Sequence, residues 1–217
     1  MLMEINKDVV ISLKDSYNPQ SSVSADGLTW SSGRAAHQCI RANKVFDHKY
    51  GCYFEFKINS AGDGLCGIGI GNNSYEVYGG RSSVRPTSCI YLDICNYGNQ
   101  VNILFRQTST NISTYTFIYK ILNDLTNWYA LGIHLRDRYV KVYFKNEVLY
   151  KLSFPSNFNS NDILNRFMIT MPWDGYQGSA TFNFGKNGFK YEDTAKEYYF
   201  KDYNRLYDLE DNMYGNI

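Results

Sequence analysis

Proline and histidine are scarce, and neither sign of charge prevails. The 217-residue chain holds 4 Pro and 3 His, with 22 basic against 21 acidic side chains and a formal net charge of +1. Such a balance leaves no electrostatic footprint for a nucleic-acid backbone or an anionic membrane. No apolar run approaches the roughly 20 residues that a membrane-spanning helix needs, so membrane insertion is not expected. The start, Met1-Leu-Met-Glu-Ile5, lacks a basic stretch followed by an apolar core, so no secretory signal is expected. Cysteine is present without a pattern: Cys39, Cys52, Cys66, Cys89 and Cys95 are odd in number and match no common zinc spacing. Cys89 and Cys95 fall on one expected strand, which separates them by about 20 Å at roughly 3.3 Å per residue and excludes a shared disulfide or metal. His48 and Cys52 form an isolated H-x-x-x-C. The expectation is reduced, mostly buried thiols acting as small hydrophobes, with no metal and no cofactor.

What the chain has in plenty is aromatic rings: 20 Tyr, 13 Phe and 3 Trp, 17% of all residues, with asparagine also abundant. That composition excludes a disordered tail, a coiled coil and a collagen-like rod. The length is enough to bury a full core without disulfide staples.

Period-two alternation dominates the chain. Cys52, Phe54, Phe56 and Ile58 alternate with Tyr53, Glu55 and Lys57, the mark of a strand with one buried face. Ile90-x-Leu92-x-Ile94, Val101-x-Ile103-x-Phe105 and Tyr115-x-Phe117-x-Tyr119 repeat it. Leu131, Ile133 and Leu135 lead through Arg136-Asp137-Arg138 into Val140, Val142 and Phe144. Lys145-Asn146-Glu147 then reads as a tight hairpin, since Asn tolerates the left-handed backbone such a turn requires. Val148, Tyr150 and Leu152 form the partner strand, followed by Phe167-x-Ile169-x-Met171 and Ala180-x-Phe182-x-Phe184. Short helical turns are expected only near Asp162–Asn165 and in the last twenty residues. Many short strands separated by turn signals predict an all-β, two-sheet antiparallel sandwich. Residues 14–26 read as a polar loop, and the Tyr-rich residues 191–217 as a C-terminal extension of a single domain spanning 1–190.

The order of motifs resembles the SPRY family, a concanavalin-like jelly-roll sandwich. Tyr50-Gly-Cys-Tyr-Phe-Glu-Phe-Lys-Ile58 is similar to its Gly-Lys-Trp/Tyr-Tyr-Phe-Glu strand, and Gly67-Ile-Gly-Ile-Gly71 to its glycine-rich strand. Leu131 to Asn146 resembles its strand, turn and Phe-Tyr-Lys-Asn-Gly hairpin, with Glu147 where the family has glycine. Asn183-Phe-Gly-Lys-Asn-Gly-Phe189 resembles its closing motif. The match covers about residues 27–190. The Trp-Glu-Val signature of the animal ubiquitin-ligase branch is absent, and Phe54-Glu55-Phe56 stands in its place. The ending Ser179 to Gly185, with the Tyr-rich tail, looks more like SPRY-like modules of bacteriophage structural and tail-associated proteins. Heavy Asn, Tyr, Lys and Ile usage suits an AT-rich genome.

Catalysis is not expected. Concanavalin-like glycosidases pair carboxylates on one strand, whereas Glu55 and Asp93 each stand alone. Gly67-x-Gly-x-Gly71 is followed by no helix, which excludes a nucleotide loop and points to close packing where the sheet bends. His134 has parity opposite to Ile133 and Leu135, which puts it on a sheet face away from the core or in a polar contact of the sandwich. Binding is expected in two loops. One, Asn72 to Thr87, carries Tyr75, Tyr78, Arg81 and Arg85. The other, Pro172 to Gly178, carries Trp173, Asp174 and Tyr176. Tyr offers contact area at low entropy cost, and Arg offers planar multidentate hydrogen bonds. In peptide-binding SPRY proteins a late-loop tryptophan helps form the ligand surface, and Trp173 takes that place. The resemblance implies a non-catalytic recognition or assembly module of a phage or virus particle, at the particle surface, contacting a protein or glycan ligand, neighbouring structural subunits or copies of itself. The alternatives are a cytoplasmic peptide-binding adaptor, which would need an attached effector module, and a carbohydrate-active enzyme, which would need the paired carboxylates.

Overall fold

The alternating runs become strands, and the strands sort into two sheets. The computed structural model describes residues 6, 8–17, 21–32, 38–44, 51–61, 67–72, 75–78, 83–95, 100–107, 112–119, 127–159, 164, 166–171 and 178–199. The front sheet has the order β1 (Ile11–Tyr17), β4 (Gln38–Ala42), β15 (Arg166–Met171), β6 (Gly67–Gly71), β9 (Ser88–Cys95), β10 (Gln100–Gln107) and β11 (Ile112–Tyr119). The back sheet has the order β14 (Glu147–Ser153), β13 (Tyr139–Phe144), β12 (Trp128–His134), β5 (Gly51–Ala61), β16 (Gly178–Asn183), β3 (Thr29–Ser32) and β2 (Ser21–Val23). A two-stranded hairpin, β7 (Tyr75–Tyr78) with β8 (Ser83–Pro86), stands apart. Neighbouring strands run antiparallel. The expected antiparallel sandwich is the observed one.

Inward parity positions of both sheets make the core. Phe54 and Phe56 of β5, Leu131 and Ile133 of β12, and Phe182 of β16 meet Ile68 and Ile70 of β6, Ile90 and Leu92 of β9, and Phe167 and Ile169 of β15. The Phe54 and Phe167 rings meet edge to face across the sandwich at 5.1 Å, and Phe167 meets Phe182 at 4.8 Å. Each such pair adds about 0.5–1.5 kcal/mol beyond the area it buries. Cys39, Cys52 and Cys89 are buried thiols, and β9 runs unbroken from Ser88 through Cys95, as the distance argument required. A Cβ at Gly69 would run into the Ile90 carbonyl oxygen and the Tyr91 side chain, so this glycine serves close packing within the sheet.

Four expectations need correction. The polar stretch 14–26 is not all loop: β1 continues to Tyr17, and Ser21–Val23 forms β2. Both strands lie at sheet edges, but the reason they escape the alternation is their sequence: Ser21–Val23 is three residues long, and Lys14-Asp15-Ser16 of β1 holds no apolar side chain. β5 buries both faces at its start, with Tyr53 and Glu55 as inaccessible as Phe54. Where β13 pairs with β14 the register shifts between Val142 and Tyr143, leaving Leu149 as the extra residue of β14; Val148 pairs with Tyr143 and is 47% exposed instead of joining the core. Tyr198, which the alternation leaves without a core duty, is buried at 7% exposure.

That last residue belongs to α1 (Glu192–Tyr199), the first turn of which carries Glu192 and Asp193 at the positive end of the helix dipole. The expected helical turn near Asp162–Asn165 lies, apart from Leu164, outside the described residues. Lys145 and Asn146 have φ of 51° and 66°, both left-handed, which makes the β13–β14 connection the primed hairpin turn that the sequence anticipates.

Candidate binding site

The outer face of the back sheet is divided in two. On one half, outward positions are apolar: Tyr53 on β5, Ala130 and Gly132 on β12, and Tyr143 on β13. The helix covers them with Ala195 and Tyr198. The Tyr198 ring stacks on Tyr53 at 5.5 Å and meets Tyr143 edge-on at 6.2 Å, and the two phenol oxygens of Tyr143 and Tyr198 are 2.8 Å apart. His134 lies on this outer face, stacked on Tyr139 at 5.0 Å.

Glu55 brackets the segment that leads into the helix. Its Oε1 accepts from the Tyr191 backbone N–H at 2.7 Å and the Tyr53 hydroxyl at 3.3 Å. Its Oε2 accepts from the Lys190 backbone N–H at 2.9 Å and the Asn183 side-chain amide at 2.7 Å. Four donors saturate a carboxylate with about four acceptor sites. Burial pushes the Glu55 carboxyl above its ordinary value, against the downward pull of these four donors. Burial likewise pushes the Cys52 thiol up, which makes it inert as a nucleophile.

The other half of that face is open and polar. Trp128, Lys57, Thr181 and Thr29 fall in one row across β12, β5, β16 and β3. Beside them, Asn59 donates to the hydroxyls of Thr181 at 2.9 Å and Ser179 at 3.3 Å. Ser31 donates to Ser179 at 2.9 Å, and the Thr29 and Thr181 hydroxyls are 3.0 Å apart. At one end this lane opens into a cleft of about 310 Å³ whose walls include Asp26, Trp128, Asn187 and Lys190. The Lys190 ammonium lies over the Trp128 ring at 5.0 Å from its centroid. Hydrogen bonds from Ser24 and the Leu28 backbone hold the Asp26 carboxyl below its ordinary value.

The segments singled out by sequence fare differently. Asn72 to Thr87 is not a plain loop: β7 pairs with β8, Tyr75 opposite Pro86 and Glu76 opposite Arg85. The Tyr75-x-Val77 and Val84 positions favour strand, and this preference outweighs the flanking Gly and Ser. Tyr75, Tyr78 and Arg85 are thus on the hairpin's strands, while Arg81 lies outside the described residues. Trp173, Asp174 and Tyr176 also lie outside them. The two segments leave neighbouring strands at opposite ends, because Arg166 pairs with Gly71 and Thr170 with Gly67. The Asn72 segment follows Gly71, and the Trp173 segment follows Met171 and rejoins the back sheet at Gly178.

Sequence reasoning missed the lane and its cleft. Their signal lay in Thr181 and Lys57, polar residues at outward parity, and in Trp128 at the start of β12. Among the described residues, no group of three or more His, Cys, Asp or Glu side chains could hold a metal ion, and no helix is long and apolar enough to cross a membrane.

No family model matches the sequence, and a search of curated proteins finds no match. Among solved structures, the SPRY domain of human HERC1 superposes with a TM-score of 0.55 over 79% of this chain and 96% of its own, at 7% identity. The carbohydrate-binding module CBM66 from Bacillus subtilis gives 0.49 over 81% and 94%, at 11% identity. The Bacillus licheniformis β-glucanase gives 0.48 over 76% and 79%, also at 11%. The first of these shows that the sandwich has the SPRY-type fold that the motifs resemble. Fold alone does not carry a function.

Proposed function

We propose that this chain is a non-catalytic recognition or assembly module, a component of a phage or virus particle that contacts a host-surface ligand or a neighbouring structural protein. The observation that carries the reading is the state of Glu55. Among the described residues it is the one buried carboxylate, and a buried acid on a sheet is where glycosidase chemistry would start. Both its oxygens are committed to holding the chain that leads into α1, so neither can act on a substrate. Recognition is left to the surface. Tyr75, Tyr78, Arg81 and Arg85 around the β7–β8 hairpin, and Trp173, Asp174 and Tyr176 before β16, supply aromatic and polar contact groups of the kind that binding surfaces favour. The particle setting draws support from the closing Ser179 to Gly185 motif, the Tyr-rich tail and the Asn-, Lys- and Ile-rich composition.

The test is a glycan-array and pull-down screen of the whole chain, beside its mass in solution. Trp173→Ala and Arg81→Ala are expected to reduce capture while the melting temperature holds. A monomer that captures neither glycan nor structural protein would overturn the proposal. An equal loss of folded protein in both variants would reduce the two segments to structural parts.

A further inference from the structure

We propose that the open half of the back sheet's outer face, with its cleft, binds an acidic oligosaccharide; the inference rests on the recognition reading and names the ligand class for a second, separate surface. Three features of the lane carry it.

The first is order. Thr29, Ser31, Asn59, Ser179 and Thr181 are tied to one another by hydrogen bonds of 2.9–3.3 Å, and Ser179 is also anchored on the Trp30 carbonyl at 3.0 Å. These groups are held in place before any ligand arrives, so little rotamer entropy is lost on binding. Ser179 is saturated, donating to Trp30 and accepting from Ser31 and Asn59. A hydroxyl has two acceptor lone pairs besides its donor, so Ser31, whose one bond uses its donor, and Thr29, which makes a single side-chain bond, remain able to accept from sugar hydroxyls. The Asn59 carbonyl oxygen and the Trp128 indole N–H make no hydrogen bond among the described residues, and they add an acceptor and a donor on the same face.

The second is charge. Lys57 stands in the row between Trp128 and Thr181. Lys190 is on the cleft wall, and Lys186 lies close enough to act electrostatically on Asp26. Against these three cations, Asp26 is the one carboxylate among the described residues lining the cleft, and Glu55 is enclosed and saturated. The local excess is positive although the whole chain is nearly neutral. A carboxylate or sulfate on the ligand would meet Lys190 beside the Trp128 ring, where ammonium donors can form charge-assisted hydrogen bonds. Asp26, held ionised, and the exposed Asn187 amide would take the sugar hydroxyls.

The third is extent. The lane runs from the cleft along β16 towards Gly178, where the segment bearing Trp173 and Tyr176 rejoins the sheet. A ligand of several sugar rings would follow that line, whereas a single ring would occupy the cleft alone.

The experiment titrates the full-length protein by calorimetry with three probes: oligogalacturonate for carboxylates, chondroitin sulfate oligosaccharides for sulfate esters, and neutral dextran oligosaccharides. Binding of one or both acidic probes, absence of dextran binding, and weakening at higher salt are expected. Lys57→Gln and Lys190→Gln are each expected to weaken binding roughly tenfold, the loss of about one charge-assisted hydrogen bond. The Lys190→Gln change leaves the backbone N–H that Glu55 accepts, and unchanged melting temperatures establish that the variants fold. Carboxylate and sulfate sources are separated by which acidic probe binds. Equal binding of dextran, no binding of any probe, or full affinity in both lysine variants would overturn the inference. Glycan or protein capture lost in Trp173→Ala but kept in both lysine variants would sink the lane and leave the recognition reading standing. Capture of nothing in the broader screen would sink that reading too.

Discussion

Tyr198 occupies the space that a side chain at Gly132 would need: a Cβ there would overlap the Cζ and hydroxyl oxygen of the phenol. The bare backbone at Gly132 is what lets α1 lie flat on the back sheet, with Tyr53 and Tyr143 on either side. Gly132→Ala is therefore expected to cost about 1–3 kcal/mol, the usual range for overpacking a filled site. Urea denaturation measures it. In a double-mutant cycle, Tyr198→Ala should cost less in the Gly132→Ala background than alone, because there the truncation also removes the clash with the new methyl group. Strict additivity would mean the two residues do not share the space.

Glu55 gives a pH prediction. Its carboxyl titrates above the ordinary 4.5 in the folded chain because burial disfavours the charged form. Between the ordinary and the raised value, the folded chain holds more protons than the unfolded one, so stability falls as pH rises. The contribution is complete below about pH 4.5 and is lost as pH climbs through the folded value. Glu55→Gln removes the titration and turns an amide N–H₂ towards backbone donors, a loss of about 1–3 kcal/mol. The stability gap between wild type and variant should be widest near pH 4 and narrow towards neutrality. A gap constant across that range would show that the carboxyl titrates normally.

The sandwich was legible because inner strands bury one face against the opposite sheet, and that constraint writes alternation into residues such as Phe54, Phe56, Leu131 and Ile133. Ser21–Val23 spans three residues with a single apolar side chain, too short to show alternation, which is why it reads as loop. The covered half of the outer face had a signal that parity alone could reveal. Tyr53, Ala130, Gly132 and Tyr143 all sit at outward positions, and an outward apolar patch requires a cover. The cover itself, α1, buries residues from an otherwise polar stretch and shows no long apolar periodicity. Glu55 looked like a lone outward carboxylate because its partners, Asn183, Lys190 and Tyr191, come from more than a hundred residues away. Spacing along a strand carries no information about such partners.

The β13–β14 turn invites a stabilising change. Lys145 holds φ of 51°, a left-handed conformation that costs a residue with a long side chain roughly 1 kcal/mol. Asn adopts it more readily. Lys145→Asn is expected to raise stability by about 0.5 kcal/mol, read as a shift of the urea midpoint at constant slope. The neighbouring Asn146 should not be exchanged in the same experiment, because its side-chain oxygen accepts from Thr194 of α1 at 2.9 Å. Asn146→Gly would mix a relaxed turn with a lost helix tether. A drop in stability for Lys145→Asn would assign more weight to the Lys145 ammonium over the Phe144 ring, at 5.1 Å, than to backbone strain.

Removing residues 195–217 tests whether the helix is part of the folded unit. The cut takes away Ala195 and Tyr198 while leaving Glu55 its bonds to Lys190 and Tyr191, so the bracket stays and only the cover goes. Tyr53 and Tyr143, now fully enclosed, would turn a face to water. Uncovering roughly 150 Å² of mostly aromatic surface costs about 4 kcal/mol at ~25 cal/mol per Å². For a chain of this length that corresponds to a melting temperature lower by about 10 °C. The exposed patch should also promote self-association, visible as a larger mass in solution. Unchanged melting and mass would mean that sheet packing alone sustains the domain. The aromatic outer face would then be kept for a purpose other than holding its own chain.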